Sequence, residues 1–207
     1  QQVEQAAAAL DDRQFARLLL GQAATARAAM FATLPDPAID PRQQFVLAQR
    51  ALDLLSEDDP AHSAIALTTG YAHMALHDVQ AAYQALAGAR QSALAFQQYF
   101  VVVEVAFHQA RLLLIQGQLP RAVEICQQAQ SDISALLAYP EQELPAVGGL
   151  DIALGCVLLD QDQLQAAEQH LLHGLDLIGW SFNLYQMAAC LALFRLREIQ
   201  GRSAEAL

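Results

Sequence analysis

The sequence predicts an all-α fold built as a solenoid of helical hairpins, and three observations carry that expectation. Small residues recur at fixed offsets from four anchors, Ala82, Ala122, Ala167 and Ala206. Twelve residues before each stand Gly70, Ala110, Gly155 and Phe194; four after the first three come Leu86, Cys126 and Leu171, and seven after come Ala89, Ala129 and Gly174, so three of the four units keep the full pattern. Antiparallel helices that approach closely need small residues at such fixed places, and a period of this length marks a stacked array. The second observation is compositional: Ala, Leu and Gln, all good helix formers, dominate a chain that is 55% hydrophobic, enough for a continuous core. The third is punctuation, because the few Gly and Pro residues collect at the links between apolar stretches.

Taken in order, Gln1 to Leu10 is expected to be the tail of a preceding hairpin. Arg13 to Leu34 has Phe15, Leu18, Leu19, Ala26 and Met30 at helical period. Three prolines within Leu34 to Pro41 end it. Phe45 to Leu55 resumes with Phe45, Ala48, Ala51, Leu52 and Leu55 on one face, and the acidic link Ser56 to Pro60 serves the N-terminal dipole of the next helix. Ala61 to Leu76 pairs with Val79 to Arg90. Phe100 to Gln116 pairs with Leu119 to Leu137, where Gly117 closes one helix and Pro120 opens the next. Tyr139 to Gly149 is a link, Leu150 to Ile178 is a third complete hairpin, and Tyr185 to Leu207 begins a fourth. One repeat domain over 1–207 is expected, with units at 13–55, 61–90, 100–137 and 150–178 and a partial unit at 185–207. Because the chain opens at Gln1 and stops inside a unit, it is expected to be a piece of a longer protein.

Charge narrows the function. A formal charge of −11 repels phosphate backbones, so no nucleic acid is expected to bind. No apolar run of 18 or more residues crosses a membrane. The chain contains no lysine, which excludes a P-loop or Schiff-base lysine. Cys126, Cys156 and Cys190, odd in number and without CxxC spacing, are expected to be buried thiols of a reducing compartment. His73 with His77, and His170 with His173, have the spacing of metal ligands on a helix, yet a third ligand is missing from each pair, and packing and capping account for His73 and His77. His108 is expected on a surface or groove. No catalytic motif, metal site or cofactor is expected.

In stacked hairpins the first helices line one inner face. Counted from the anchors, that face takes Tyr71 and Met74, then Glu104, Phe107, Arg111 and Leu114, then Ile152, Cys156 and Asp160, then Leu191, Arg195 and Glu198. An apolar groove with a few charges suits a small polar ligand or a peptide. The candidate binding residues are Tyr71, Met74, Glu104, Phe107, Arg111, Cys156, Asp160, Arg195 and Glu198.

The stretches ALTTGYAHMALHDVQAAYQAL, ARLLLIQGQLPRAVEICQQAQ and, above all, LPAVGGLDIALGCVLLDQDQLQAAEQHLLHGLDL resemble the tetratricopeptide-like region of MalT-like, LuxR-type ATP-dependent transcriptional regulators. Ala51 to Leu67 resembles the same family's link between an ALxLL helix and the next unit, and the likeness covers most of Arg42 to Leu207. The chain departs from the plain tetratricopeptide pattern in lacking an early Trp in each unit and a closing Pro. The resemblance implies a right-handed α-α superhelix acting as the sensor segment of a cytoplasmic regulator. In such regulators it lies between a nucleotide-binding switch and a helix-turn-helix reader and receives an inducer or a protein partner. A freestanding scaffold for partner peptides is the alternative. The apolar end with Leu191, Leu193, Phe194 and Leu196 is expected to allow self-association.

Overall fold

In the computed structural model, residues 40–55, 58–136, 144–179 and 183–202 are described. All regular structure among them is helical. The expected helices at 1–10 and 13–34, and the start of the last unit's second helix, lie outside the described residues. The chain divides into two compact units, Gln1–Val101 and Val102–Leu207.

The first unit holds α1 (Pro41–Leu54), α2 (Ala61–Ala75) and α3 (Val79–Ala95). Acidic side chains start each of these helices. Asp40 accepts from the Arg42 N–H at 2.9 Å, Asp59 from that of Ala61 at 2.9 Å, and Asp78 from that of Ala81 at 3.1 Å. Each satisfies a donor that a helix terminus leaves unpaired. Ala48 and Ala51 of α1 pack with Ile65 of α2, flanked by Leu47, Leu52, Leu54 and Leu55. α2 is buried on nearly every side, so its polar residues bond locally: Thr68 and Thr69 donate to the carbonyls of Ala64 and Ile65 at 2.9 and 3.2 Å. Gln98, just past α3, reaches back to the start of α2, where its Nε2 donates to the Pro60 carbonyl at 2.7 Å and its Oε1 accepts from Ser63.

α4 (Tyr99–Ile115) carries the chain into the second unit, which continues with α5 (Leu119–Leu136), a 3₁₀ turn (Pro145–Val147), α6 (Gly148–Asp160), α7 (Leu164–Ile178) and α8 (Asn183–Ile199). Two patterns recur. The outer helices bury one narrow stripe at spacings of four, three and four: Ala82, Leu86, Ala89 and Ala93 in α3; Ala122, Cys126, Ala129 and Ile133 in α5; Ala167, Leu171, Gly174 and Ile178 in α7. α6, like α2, is buried almost all round. That contrast separates a half-exposed outer helix from an enclosed inner one.

The second pattern is the turn. His77, Gln97, Gly117, Asp162 and Gly201 have φ of 60°, 54°, 69°, 59° and 71°. In each, the N–H of that residue bonds the carbonyl three residues back and the next N–H bonds the carbonyl five back, over 2.8–3.2 Å. This left-handed helix stop satisfies carbonyls the helix end leaves open. Four of the five stand five residues before an anchor alanine. Gln97 is the fifth and closes α3 at Ala95 rather than at the expected Arg90, because no Gly or Pro announces it.

Close approach is concentrated at glycines. A Cβ on Gly70 would lie 2.7 Å from Leu86 Cδ2, and one on Gly155 would lie 2.7 Å from Leu171 Cγ, the same contact in two hairpins. The first turn of α6 and the end of α7 meet backbone to backbone: a Cβ on either Gly148 or Gly174 would stand 2.6 Å from the other's carbonyl oxygen. Gly149 admits the Tyr185 ring, at 2.9 Å from its would-be Cβ.

Gly174→Ala should therefore destabilise the chain by roughly 3 kcal/mol, because the obstructing atoms are backbone and cannot yield. Gly88→Ala, whose Cβ meets nothing within 4 Å, should stabilise it by about 0.5–1 kcal/mol through helix propensity. Urea unfolding of both variants checks the pair; equal effects would contradict the assigned contacts.

Candidate functional site

The second unit contains a cavity of about 300 Å³ walled by α4, α6 and α8. Helical spacing builds it. Phe107, Arg111 and Leu114 lie one and two turns apart on α4, Cys156 and Asp160 one turn apart on α6, and Leu191 and Arg195 one turn apart on α8. Ala188 and Ala192 keep the α8 wall thin.

Gly149 positions this wall from a distance. By lacking a Cβ it lets Tyr185 of α8 reach the interior, where its ring meets Phe107 edge to face at 4.7 Å and its hydroxyl approaches Glu104 Oε1 at 3.4 Å. Phe107 is thereby fixed as the cavity's aromatic floor. The Arg111 guanidinium lies 5.6 Å from the centre of that ring, a distance at which the ring face attracts the cation. At the rim, Arg195 donates to Asp160 at 2.6 Å, linking α8 to α6. The arginine is 61% exposed, so the pair contributes little to stability and can exchange partners.

Cys156 adds a thiol to the wall. Burial pushes its pKa up to about 11; Arg111 pulls the other way, Asp160 adds to the rise, and Arg195 again opposes it. The thiol is therefore neutral near pH 7, a soft apolar contact rather than a nucleophile. The lining thus gathers two guanidiniums and one carboxylate beside apolar walls.

Of the nine expected groove residues, Phe107, Arg111, Cys156, Asp160 and Arg195 line this cavity. Glu104 is half-buried against Tyr185, and Glu198 is exposed on α8 outside the lining. Tyr71 and Met74 belong to the first unit, where Tyr71 is buried and Met74 half-buried. Ile115, Leu159, Ala188 and Ala192 complete the lining and were not anticipated; the two alanines share a helical face with Leu191 and Arg195, which was the available signal.

Two expectations need correction. His108 is not a surface or groove residue: it is fully buried, its ring edge-on to Phe107 at 5.2 Å. Cys190 is exposed, while Cys126 is buried and Cys156 half-buried. His170 and His173 both turn Nδ1 toward buried Asp151, at 2.8 and 3.3 Å from its two oxygens. Two imidazoles thus partner a carboxylate that would be costly to bury unpaired. His77 occupies a turn, and His73 packs its ring on Phe45 at 4.9 Å. No group of three or more His, Cys, Asp or Glu among the described residues is placed to hold a metal ion, and no helix there is long and apolar enough to cross a membrane.

The thiols supply a test. Burial, reinforced by Cys156 and Asp151, pushes Cys126 up to about 12. A native-state thiol titration at pH 8 should find Cys190 reacting fast, Cys156 slowly through the cavity, and Cys126 only after unfolding. Both folded pKa values lie above the unfolded value, so this contribution to stability is intact below about pH 9. It falls as unfolded thiols ionise first, by about 1.4 kcal/mol per pH unit per thiol, until the folded ones follow near 11 and 12. A fall in denaturant midpoint from pH 8 to 10 that is as large in a Cys126→Ala, Cys156→Ala double variant as in the parent would contradict it.

No curated protein matches the chain. The family model described as MalT-like TPR region matches residues 15–207. With the paired helices, small-residue contacts and repeated turns in place, the chain belongs to the MalT-like TPR region family.

Proposed function

We propose that this chain is a sensor and interaction module of a cytoplasmic transcriptional regulator, and that a small ligand binds in the α4–α6–α8 cavity. The observation that carries this is the convergence of Arg111, Arg195 and Asp160 around an apolar pocket floored by Phe107. Apolar walls with a few orienting polar groups are the usual make-up of a small-molecule site. The helical-repeat architecture itself is typically non-catalytic, and the neutral Cys156 thiol fits a binding role.

The rim ion pair suggests how occupancy is relayed. A ligand carboxylate would compete with Asp160 for Arg195, loosening the link between α6 and α8. Two arrangements of these helices with different ligand affinity would then be biased by binding. In a regulator of this family, that bias would act on a nucleotide-binding switch elsewhere in the protein, and the chain would form one repeat domain with that relay role.

A protein partner is the second reading, favoured by exposed apolar residues of α8 at the cavity's edge and beside it. Met187, Leu191 and Phe194 are 51%, 65% and 42% exposed there and form an apolar stripe. A scaffold role, or self-association through the repeat end, would use this stripe.

A thermal-shift screen of sugars, nucleotides, amino acids and short peptides separates the readings. A cavity ligand at a hundredfold excess over its Kd should raise the midpoint by on the order of 5 °C. Arg195→Ala and Arg111→Ala should abolish that shift without lowering the unliganded midpoint by more than about 2 °C. A shift that survives both changes contradicts this site. If self-association operates, light scattering should show mass rising with concentration, and Phe194→Gln should suppress the rise.

A further inference from the structure

The first unit has a cleft of its own, of about 560 Å³, formed by α1, α2 and α3. Its openness has an identifiable cause in the repeat. The shift of 85 residues that takes anchor Ala82 to anchor Ala167 takes Ala66, Ala85 and Gly88 to Asp151, His170 and His173. In the second unit those three positions are occupied by the buried carboxylate and its two imidazoles. In the first they hold two methyl groups and a hydrogen, and all three line the cleft.

Gly88 is the glycine that neither packing nor backbone conformation accounts for. Each other glycine among the described residues either has a would-be Cβ pressed within 3 Å of a neighbour or adopts a positive φ. Gly88 does neither: it sits inside α3 with nothing within 4 Å of the Cβ position, although alanine would favour the helix. Ser92, one turn further on, lines the same cleft, and its buried Oγ has no hydrogen-bond partner. A buried hydroxyl of this kind calls for a partner from water or a ligand.

The lining also sets the ligand's charge. Leu52 and Phe96 give apolar walls, Asp58 gives an exposed carboxylate and His62 an imidazole, and no arginine is among the described residues that line the cleft. The contrast with the arginine-rimmed cavity of the second unit is the lack of a guanidinium among the described lining residues.

We propose that this cleft is a second binding site, specific for a small arylalkylamine. The aromatic body lies against Leu52 and Phe96 in the space left by Gly88, the ammonium pairs with Asp58, and a ring hydroxyl meets Ser92 Oγ. The proposal is independent of the reading of the other cavity.

Isothermal titration of the whole chain with tyramine, phenethylamine and 3-phenylpropionate tests it, using Gly88→Leu to isolate the cleft. Gly88→Leu fills the cleft from an exposed, unobstructed position, and circular dichroism confirms its folding. The binding lost in Gly88→Leu should be at least tenfold weaker for the acid than for the amines. Tyramine should exceed phenethylamine severalfold, an advantage that Ser92→Ala removes. Asp58→Asn should weaken both amines severalfold and leave 2-phenylethanol unchanged. No saturable binding of either amine, amine binding undiminished in Gly88→Leu, or an acid bound as tightly at the same site would each overturn the proposal.

Discussion

Everything in this structure depends on how closely two helices of one hairpin approach. At Gly70 against Leu86 and at Gly155 against Leu171, the inner helix offers no side chain, and a buried leucine of the outer helix occupies the space. Where α6 starts and α7 ends, even the leucine is dispensed with and Gly148 meets Gly174 backbone to backbone. Such contacts tolerate almost no added volume, because a close-packed interior transmits a methyl group's displacement instead of absorbing it. The left-handed turn residue five positions before each anchor then sets the register in which leucine and glycine face each other.

Enclosure of the inner helices follows, and it decides where function can reside. A helix buried nearly all round, such as α6, exposes few side chains, among them Cys156 and Asp160 at its C-terminal end. The accessible chemistry of the second unit is accordingly gathered where α4, α6 and α8 expose one edge each. In the first unit it is gathered where the repeat omits side chains at Ala66, Ala85 and Gly88. One cavity is made by charges converging on an apolar floor and the other by volume withheld, and arginine is among the described lining residues only in the first of these.

The backbone plan was legible because small residues at fixed offsets leave a trace that side-chain variation does not erase; Ala82, Ala122 and Ala167 each proved fully buried. Counting from them picked out Phe107, Arg111, Cys156, Asp160 and Arg195, which line one cavity. What the pattern could not convey was depth. Tyr71 and His108 are buried although each can be written onto an accessible helical face, since an enclosed helix has no solvent side. The Asp151 cluster was hidden because its members are 19 and 22 residues apart, across a turn, and only the folded hairpin brings the carboxylate between the imidazoles. Gln97 took a left-handed turn without the glycine that marks Gly117 and Gly201, so the end of α3 carried no local sign.

The most direct test of the packing constraint is a double-mutant cycle between Gly155 and Leu171, read by denaturant unfolding. If the hairpin closes on this contact, Gly155→Ala should cost about 1–3 kcal/mol in the parent and at least ~1 kcal/mol less once Leu171→Ala has removed the obstructing side chain, a coupling typical of residues in contact. If the cost of Gly155→Ala is the same in both backgrounds, the two side chains do not meet as described and the account of the repeat is wrong.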